Sequence, residues 1–450
     1  MFGAPALVSR GSRAVGHRRL VTGVALAFCA ATFVTATSAF AADAKPTASE
    51  IGVTATEVRI AVIADVDTPL APGAYAGARD AVQAWGKYIN QQGGLAGRKV
   101  VVDYYDSKLN GDETRNAIIK ACQNDFAVVG TGALFLNNVD DMLACPDAKG
   151  VKTGLPDVPV VTIWEPQQNS PVSFPITAPS KVFSDPSGQT YQARVGRFRW
   201  YLQNVSKDLH GIFLVGADLE ALKTATMPIW LGAQKVGITS DGVFDVHGAD
   251  PQDKYLPLAT TMQSKGSTIE SSGVNDTSQA YMLKEAAVQG VSTVKVWDCT
   301  AACYSKRFLE TAGAKAEGQY VDMPFVPVEE AKYNPAVKAY VKSVGSGVID
   351  GNGEQAWAAA LFFRDAVNAV VKDGGVNALT RANFLTAAGK IHSFNADGML
   401  ATSDIPAKKA TPCTSLFQVK GGKFVRVFPK KPATFDCNPK NVVTVKQSGS

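Results

Sequence analysis

The chain has 450 residues, 46% of them hydrophobic, with a formal net charge of +5 and seven cysteines. That length can bury more than one core, and a composition without low-complexity tracts excludes a disordered or fibrous chain. Four basic residues, Arg10, Arg13, Arg18 and Arg19, precede the first acidic one, Asp43; without them the balance falls to +1, which removes any electrostatic case for nucleic acid or a membrane surface.

Those arginines open a three-part leader. It is basic to Arg19, apolar from Leu20 to about Val34, then small-residue, ending in Ala39-Phe40-Ala41-Ala42. This is the form of a secretory signal over residues 1–41, cut after about Ala41. The apolar run is shorter than the ~20 residues a membrane span needs. Arg18-Arg19 matches a twin-arginine signal weakly, and Cys29 follows Leu26-Ala27-Phe28, a lipoprotein-like site with a bulky residue where a small one is wanted. The expected location is periplasmic or at the cell surface, with lipid anchoring through Cys29 the lesser alternative.

After a polar linker over 43–50, the run Val58-Arg59-Ile60-Ala61-Val62-Ile63-Ala64 predicts a strand buried on both faces. The loop 65–73 carries two prolines, a glycine and two carboxylates. Ala78, Val82, Trp85, Tyr88 and Ile89 then recur at helical spacing, Gly93-Gly94 stops that helix, and 98–105 alternates as a second strand. This is a βαβ unit, in which ligands sit at the carboxyl ends of the strands. Helix is expected over 113–123, strand over 126–130, helix over 137–145 and strand over 158–163. The proline-rich stretch 164–188 reads as a crossing between domains. A second series follows: helix 191–205, strand 211–215, helix 221–235, strand 243–246, helices 257–265 and 278–289, strand 294–297, helix 303–312 and strand 319–323. After a second crossing at 324–327 come helices over 335–344, 355–373 and 380–388. A hairpin pairs 417–419 with 424–427. Residues 440–450 look loose.

The alternation predicts an α/β protein of two doubly wound three-layer lobes joined by a multi-strand hinge. The first lobe spans 51–178 plus 326–398, the second 179–325 plus 399–429, and 430–450 forms a C-terminal tail.

Leaving Cys29 aside, Cys122, Cys145, Cys299, Cys303, Cys413 and Cys437 make an even set in an exported chain. Sequence proximity favours pairing them in that order among 15 possibilities. His210, His247 and His392 are scattered singly, so no metal site is expected and no nucleophile partner stands beside them. Gly130-Thr131-Gly132-Ala133-Leu134-Phe135 imitates half of a dinucleotide fingerprint, but Phe135 stands where the third glycine belongs, leaving a tight turn in a binding loop. With no phosphate-binding lysine loop and no Gly-x-Ser-x-Gly elbow, neither cofactor nor catalysis is expected.

The ordered set of apolar strand, Pro/Gly loop, Gly77-Ala78, Trp85, Tyr88-Ile89-Asn90, Gly93-Gly94-Leu95 and Gly97-Arg98-Lys99 resembles the type I solute-binding proteins of ABC importers, in the branch of the leucine/isoleucine/valine-binding proteins. Val158-Pro159-Val160-Val161 and the run from Ala316 to Pro324 extend the resemblance over most of 51–429. It implies three crossings, a small-molecule ligand in the interlobe cleft and ABC permease subunits as partners, with no nucleic acid. A bridge like Cys122–Cys145 occurs in that family.

Candidate ligand contacts are Asp65 and Tyr75 in and after the first loop, Leu134 and Phe135, Trp164 and Glu165, Asp218, and Trp297 and Asp298. An aromatic beside a carboxylate at a strand end makes an apolar wall with one charge-pairing group. The alternative for each pair is a core tryptophan with a solvated or helix-capping acid. Members of the resembling family that bind amino acids grip the ligand with small and hydroxyl residues where this chain has Leu134-Phe135 and Trp164-Glu165. The expected ligand is therefore a small organic solute, amino-acid-like or more apolar, with the bulkier or more apolar kind fitting the aromatic residues better. The expected function is capture and delivery to an importer, with a receptor-linked sensor or, less well supported, a secreted enzyme as alternatives.

Overall fold

The structure is a computed structural model that describes residues 45–68 and 71–447. The expected signal segment, Cys29 and the end of the tail lie outside the described residues. The first sheet holds β1 (Glu57–Ala64), β2 (Lys99–Asp106), β3 (Ala127–Val129) and β4 (Asp157–Val158), all parallel, in the order β2-β1-β3-β4. Helices α1 (Ala76–Gln91) and α2 (Gly111–Asn124) join its strands; α2 begins where the Asn110 side chain accepts from the Asp112 and Glu113 amides. Two short helices follow, α3 (Asp140–Leu143) and α4 (Glu165–Asn169).

The second sheet has seven strands in the order β12-β11-β10-β9-β8-β6-β7. A strand outside it, β5 (Thr190–Arg194), comes first and is followed by α5 (Gly196–Asn204). Then come β6 (His210–Gly216), α6 (Glu220–Lys235), β7 (Thr239–Val246), α7 (Leu256–Lys265), β8 (Ile269–Gly273), α8 (Asp276–Val288), β9 (Val296–Cys299), α9 (Lys306–Ala312) and β10 (Tyr320–Asp322). Strands β6 to β10 run parallel, and the hairpin β11 (Leu416–Lys420) and β12 (Lys423–Phe428) adds antiparallel to β10.

Between β10 and β11 the chain returns to cover the first sheet with α10 (Pro335–Val344), α11 (Gly351–Gly374) and α12 (Arg381–Ala388). Helix α11 is buried nearly all round through its first four turns. It packs along α1, with Phe363 edge-on to Trp85 and close to Phe126 and Phe384. The outward and returning crossings lie side by side: Phe325 and Leu400 form an antiparallel bridge, and the Val326 amide donates to the Met399 carbonyl at 2.7 Å. The first crossing reaches the same place, so Thr177 and Ala178 share a small cavity with Pro324, Leu400 and Ala401. Two α/β lobes, each built on its own sheet, meet at this hinge.

Several elements differ from the sequence reading. The stretch 191–205 is not one helix but β5 followed by α5. The expected helix 137–145 shrinks to the single turn of α3, and the strand 158–163 to two residues. Residues 440–447 are not a loose tail, because β13 (Val442–Lys446) pairs antiparallel with β5. Strand β8 was not foreseen at all. It lies between β6 and β9, and its residues Ile269-Glu270-Ser271-Ser272-Gly273 are all buried. Internal partners make the polar side chains tolerable there: Gln279 donates to Glu270 at 2.8 Å, and Ser271 Oγ to Asp298 at 2.7 Å. Beside it, Gly211 brings the β6 backbone so close to the Ile269 carbonyl that no Cβ fits.

The six cysteines pair as Cys122–Cys145, Cys299–Cys303 and Cys413–Cys437. The first bridge is backed by Arg381 of α12, a fully buried guanidinium that donates to the carbonyls of Cys122, Asp125, Phe126 and Pro146. The third bridge anchors the segment leading to β13.

Candidate ligand-binding site

In each lobe the loops leaving the carboxyl ends of the parallel strands gather at one edge of the sheet. The first lobe's edge is organised by Asp65, the residue after β1. Its carboxylate is buried and accepts from Ser107 Oγ at 2.6 Å, the Leu109 amide at 2.7 Å and the Leu134 amide at 2.8 Å. Burial raises its pKa, and those three bonds oppose the rise. The loops after β1, β2 and β3 are thus tied to one group. Asp65, expected as a ligand contact, is buried with its oxygens bonded to the chain, and it positions the loops.

The tie continues through Leu134, whose carbonyl accepts from Trp164 Nε1 at 2.7 Å. Trp164 stands at the start of α4 and remains partly exposed, as do Leu134 and Phe135. Tyr75, at the start of α1, lies against Gly132, where a Cβ would press on its ring; burial, then the charges of Asp65 and Asp350, raise its pKa. Gly130 turns the chain at φ +74° out of β3, where a side chain would meet Val82 and Ala356. Tyr75, Leu134, Phe135 and Trp164 are therefore brought together at the strand ends. Glu165 is not: it is exposed, pairs with Lys181 at 2.6 Å and borders an outer groove with Val139, Leu143 and Pro166.

In the second lobe, exposed Asp218 accepts from the Gly248 amide at 2.9 Å and so joins the loops after β6 and β7. Trp297 and Asp298 do not sit beyond a strand end, because β9 runs on to Cys299. Trp297 packs against two core clusters. Asp298 is fully buried and accepts from Arg197 Nε at 3.0 Å, Tyr201 at 2.8 Å and Ser271. Asp298 is thus an interior residue of its lobe, while Trp297 stays partly exposed within β9. The residues that do follow β9 are Thr300 and Ala301.

Sequence reasoning missed one set of charged groups, drawn from both lobes, that act on one another electrostatically. Asp276, at the start of α8, is held by Arg307 of α9, with Nη2 at 2.8 Å from Oδ1. Asp350 caps α11 on the other lobe, donor to its carboxylate being the Gly353 amide at 2.7 Å. Its pKa is pushed up to about 6, chiefly by burial, with backbone bonds and Arg307 opposing and Asp276 adding to the rise. A side chain at Gly77 would strike Asp350. The available signal was the capping pattern, an Asn or Asp two or three residues before the apolar period of a helix.

Among the described residues no group of three His, Cys, Asp or Glu side chains has metal-binding geometry. His210 and Ser267 both bond Asp241, at 2.8 and 2.6 Å, rather than each other. They lie at the amino ends of β6 and β8, away from the gathered loops.

The profile of one family, described as periplasmic binding protein, matches residues 57–423. No curated protein matches the chain. Solved structures similar to it include a fatty acid ABC transporter substrate-binding protein from Thermomonospora curvata, 15% identical over 87% of this chain and 95% of that one, TM-score 0.67. An ABC transporter substrate-binding protein from Aeropyrum pernix is 13% identical over 86% and 97%, TM-score 0.65. A leucine-binding protein from Thermotoga maritima is 16% identical over 85% and 99%, TM-score 0.61. At these identities the structures bear on the fold.

Proposed function

Because the chain belongs to the periplasmic binding proteins, a ligand-binding family with the two-lobed type I fold, we propose that it captures a small, largely apolar organic solute between its lobes and delivers it to an ABC importer. The observation that carries the ligand class is the first lobe's edge. There Tyr75, Leu134, Phe135 and Trp164 stand partly exposed, while Asp65, the carboxylate that ties these loops, is already bonded to the chain. A largely apolar wall favours hydrophobic transfer over the pairing of an ammonium or carboxylate. Among the similar structures, one is described as serving fatty acids and one as binding leucine; the aromatic wall favours the more apolar kind of cargo.

The protein acts without chemistry, by rotation of the lobes about the paired crossings. The family is extracytoplasmic, and among the described residues no helix is long and apolar enough to cross a membrane. Residues 1–41 serve as the export signal in this reading.

Mass spectrometry of small molecules released from the denatured protein tests the proposal. An apolar organic compound that rebinds unchanged is expected. Recovery of a zwitterionic amino acid as the tight ligand, or turnover of the compound, would overturn it.

A further inference from the structure

Helix α11 carries a group for which solute capture has no use. Glu354 is fully buried, and neither carboxyl oxygen has a hydrogen-bond partner among the described residues. It sits where the lobes join. Tyr304, from the loop after β9, covers it together with Val328 of the second crossing. Tyr304 itself packs at a tilt against Phe325 of that crossing, 5.6 Å between ring centroids, and edge-on against Phe424 of β12 at 4.9 Å. Its hydroxyl is engaged elsewhere, and it and the Val328 amide only partly oppose the rise in the Glu354 pKa. The single hydroxyl proton goes to Glu329 at 2.7 Å, and the oxygen accepts the Val328 amide at 2.9 Å.

The titratable groups around Glu354 offer no compensation. Asp350 lies one turn away on α11, Glu329 follows the crossing, and Tyr340 faces it from α10. Arg307, the cation that acts on Asp350, is held by Asp276. An ionised carboxylate in such a place is costly, so the group is held neutral.

We propose that Glu354 couples lobe rotation to a proton: the arrangement described here keeps it as the neutral acid, and a rotation that parts Tyr304 and the second crossing from α11 hydrates it and releases the proton. The proposal rests on the hinge of the previous section, but not on the identity of the solute. Burial first, then the charges of Glu329 and Asp350, hold the pKa well above the ordinary carboxylate value. Below about pH 4.3, the usual value for a hydrated Glu, both arrangements carry the proton and pH has no effect. Above it the rotated form gains about tenfold per pH unit, until the buried acid itself ionises. Low pH thus favours the joined arrangement and high pH the parted one.

Small-angle scattering of the ligand-free protein, from about pH 4.5 to 8.5, tests this against Glu354→Gln, which removes the charge. Wild type should fit the present structure at the acid end and expand with rising pH, while the variant should keep one profile throughout. Superimposable wild-type curves, or an equal drift in the variant, would overturn the proposal. Glu354→Leu supplies a second reading that survives poor folding of the amide variant. Its melting temperature should exceed that of wild type by a margin that widens with pH, and a constant or shrinking margin would overturn the coupling. Neither readout uses a solute or a permease, so a failure here leaves the binding function standing, and the reverse.

Discussion

Trp164→Ala separates a ligand wall from a core residue in one experiment. Trp164 is already largely covered in the folded chain. Of the 150–250 Å² such a side chain can bury, on the order of 50–80 Å² is left for a ligand. At about 25 cal/mol per Å², that area is worth roughly 1.3–2 kcal/mol of binding. The expected loss of affinity is therefore about ten- to thirty-fold. Truncation also removes the covered part of the ring and the bond from Nε1 to the Leu134 carbonyl, so melting falls as well. Trp164→Phe keeps a ring while losing that bond, and should bind within a few-fold of wild type. Trp297→Ala is the contrast: its ring is partly buried inside strand β9 and packs against two apolar clusters, so melting should fall while affinity stays within about twofold. Calorimetric titration of the recovered compound, alongside thermal unfolding, reads all three. Unchanged affinity in folded Trp164→Ala, or an equal loss in Trp297→Ala, would refute the assignment.

Burial and the neighbouring Asp103 push the Asp125 carboxyl up to about 8, with Tyr105 and Arg59 opposing. An acid raised in the native state stabilises it most below its unfolded value and loses that contribution as pH rises through the native one. Wild type should therefore lose stability between about pH 4 and pH 8, by at most a few kcal/mol, and Asp125→Asn should flatten that loss in pH-dependent melting. Removing the Cys413–Cys437 bridge, whose cysteines are separated by 24 positions, with paired serine substitutions should cost about 3 kcal/mol and speed amide exchange in β13. Thiol titration of the denatured, unreduced mature chain should find none of the six cysteines free; two or more free thiols would reject the complete framework.

The fold was legible because its strongest signals are periodic. The run around Ile60 to Ile63 and the apolar face of α1 are what burial in a parallel sheet and against it demands. Strand β8 was illegible because Glu270, Ser271 and Ser272 meet their partners inside the lobe, where hydropathy carries no signal. Strand β13 escaped because its partner β5 lies about 250 positions earlier and had itself been absorbed into a helix. Of the candidate site, the position of Tyr75, Leu134, Phe135 and Trp164 near strand ends was legible, since strand ends and loops place those residues. What each carboxylate does could not. Asp65 and Asp298 look alike in sequence, each beside a strand, yet one staples three loops and the other neutralises a buried arginine.

Scattering of the protein with and without the compound it releases, at a single pH, tests the central claim most directly. A hinge that closes over an apolar solute predicts a smaller radius of gyration on binding. Tight binding at unchanged dimensions would contradict it.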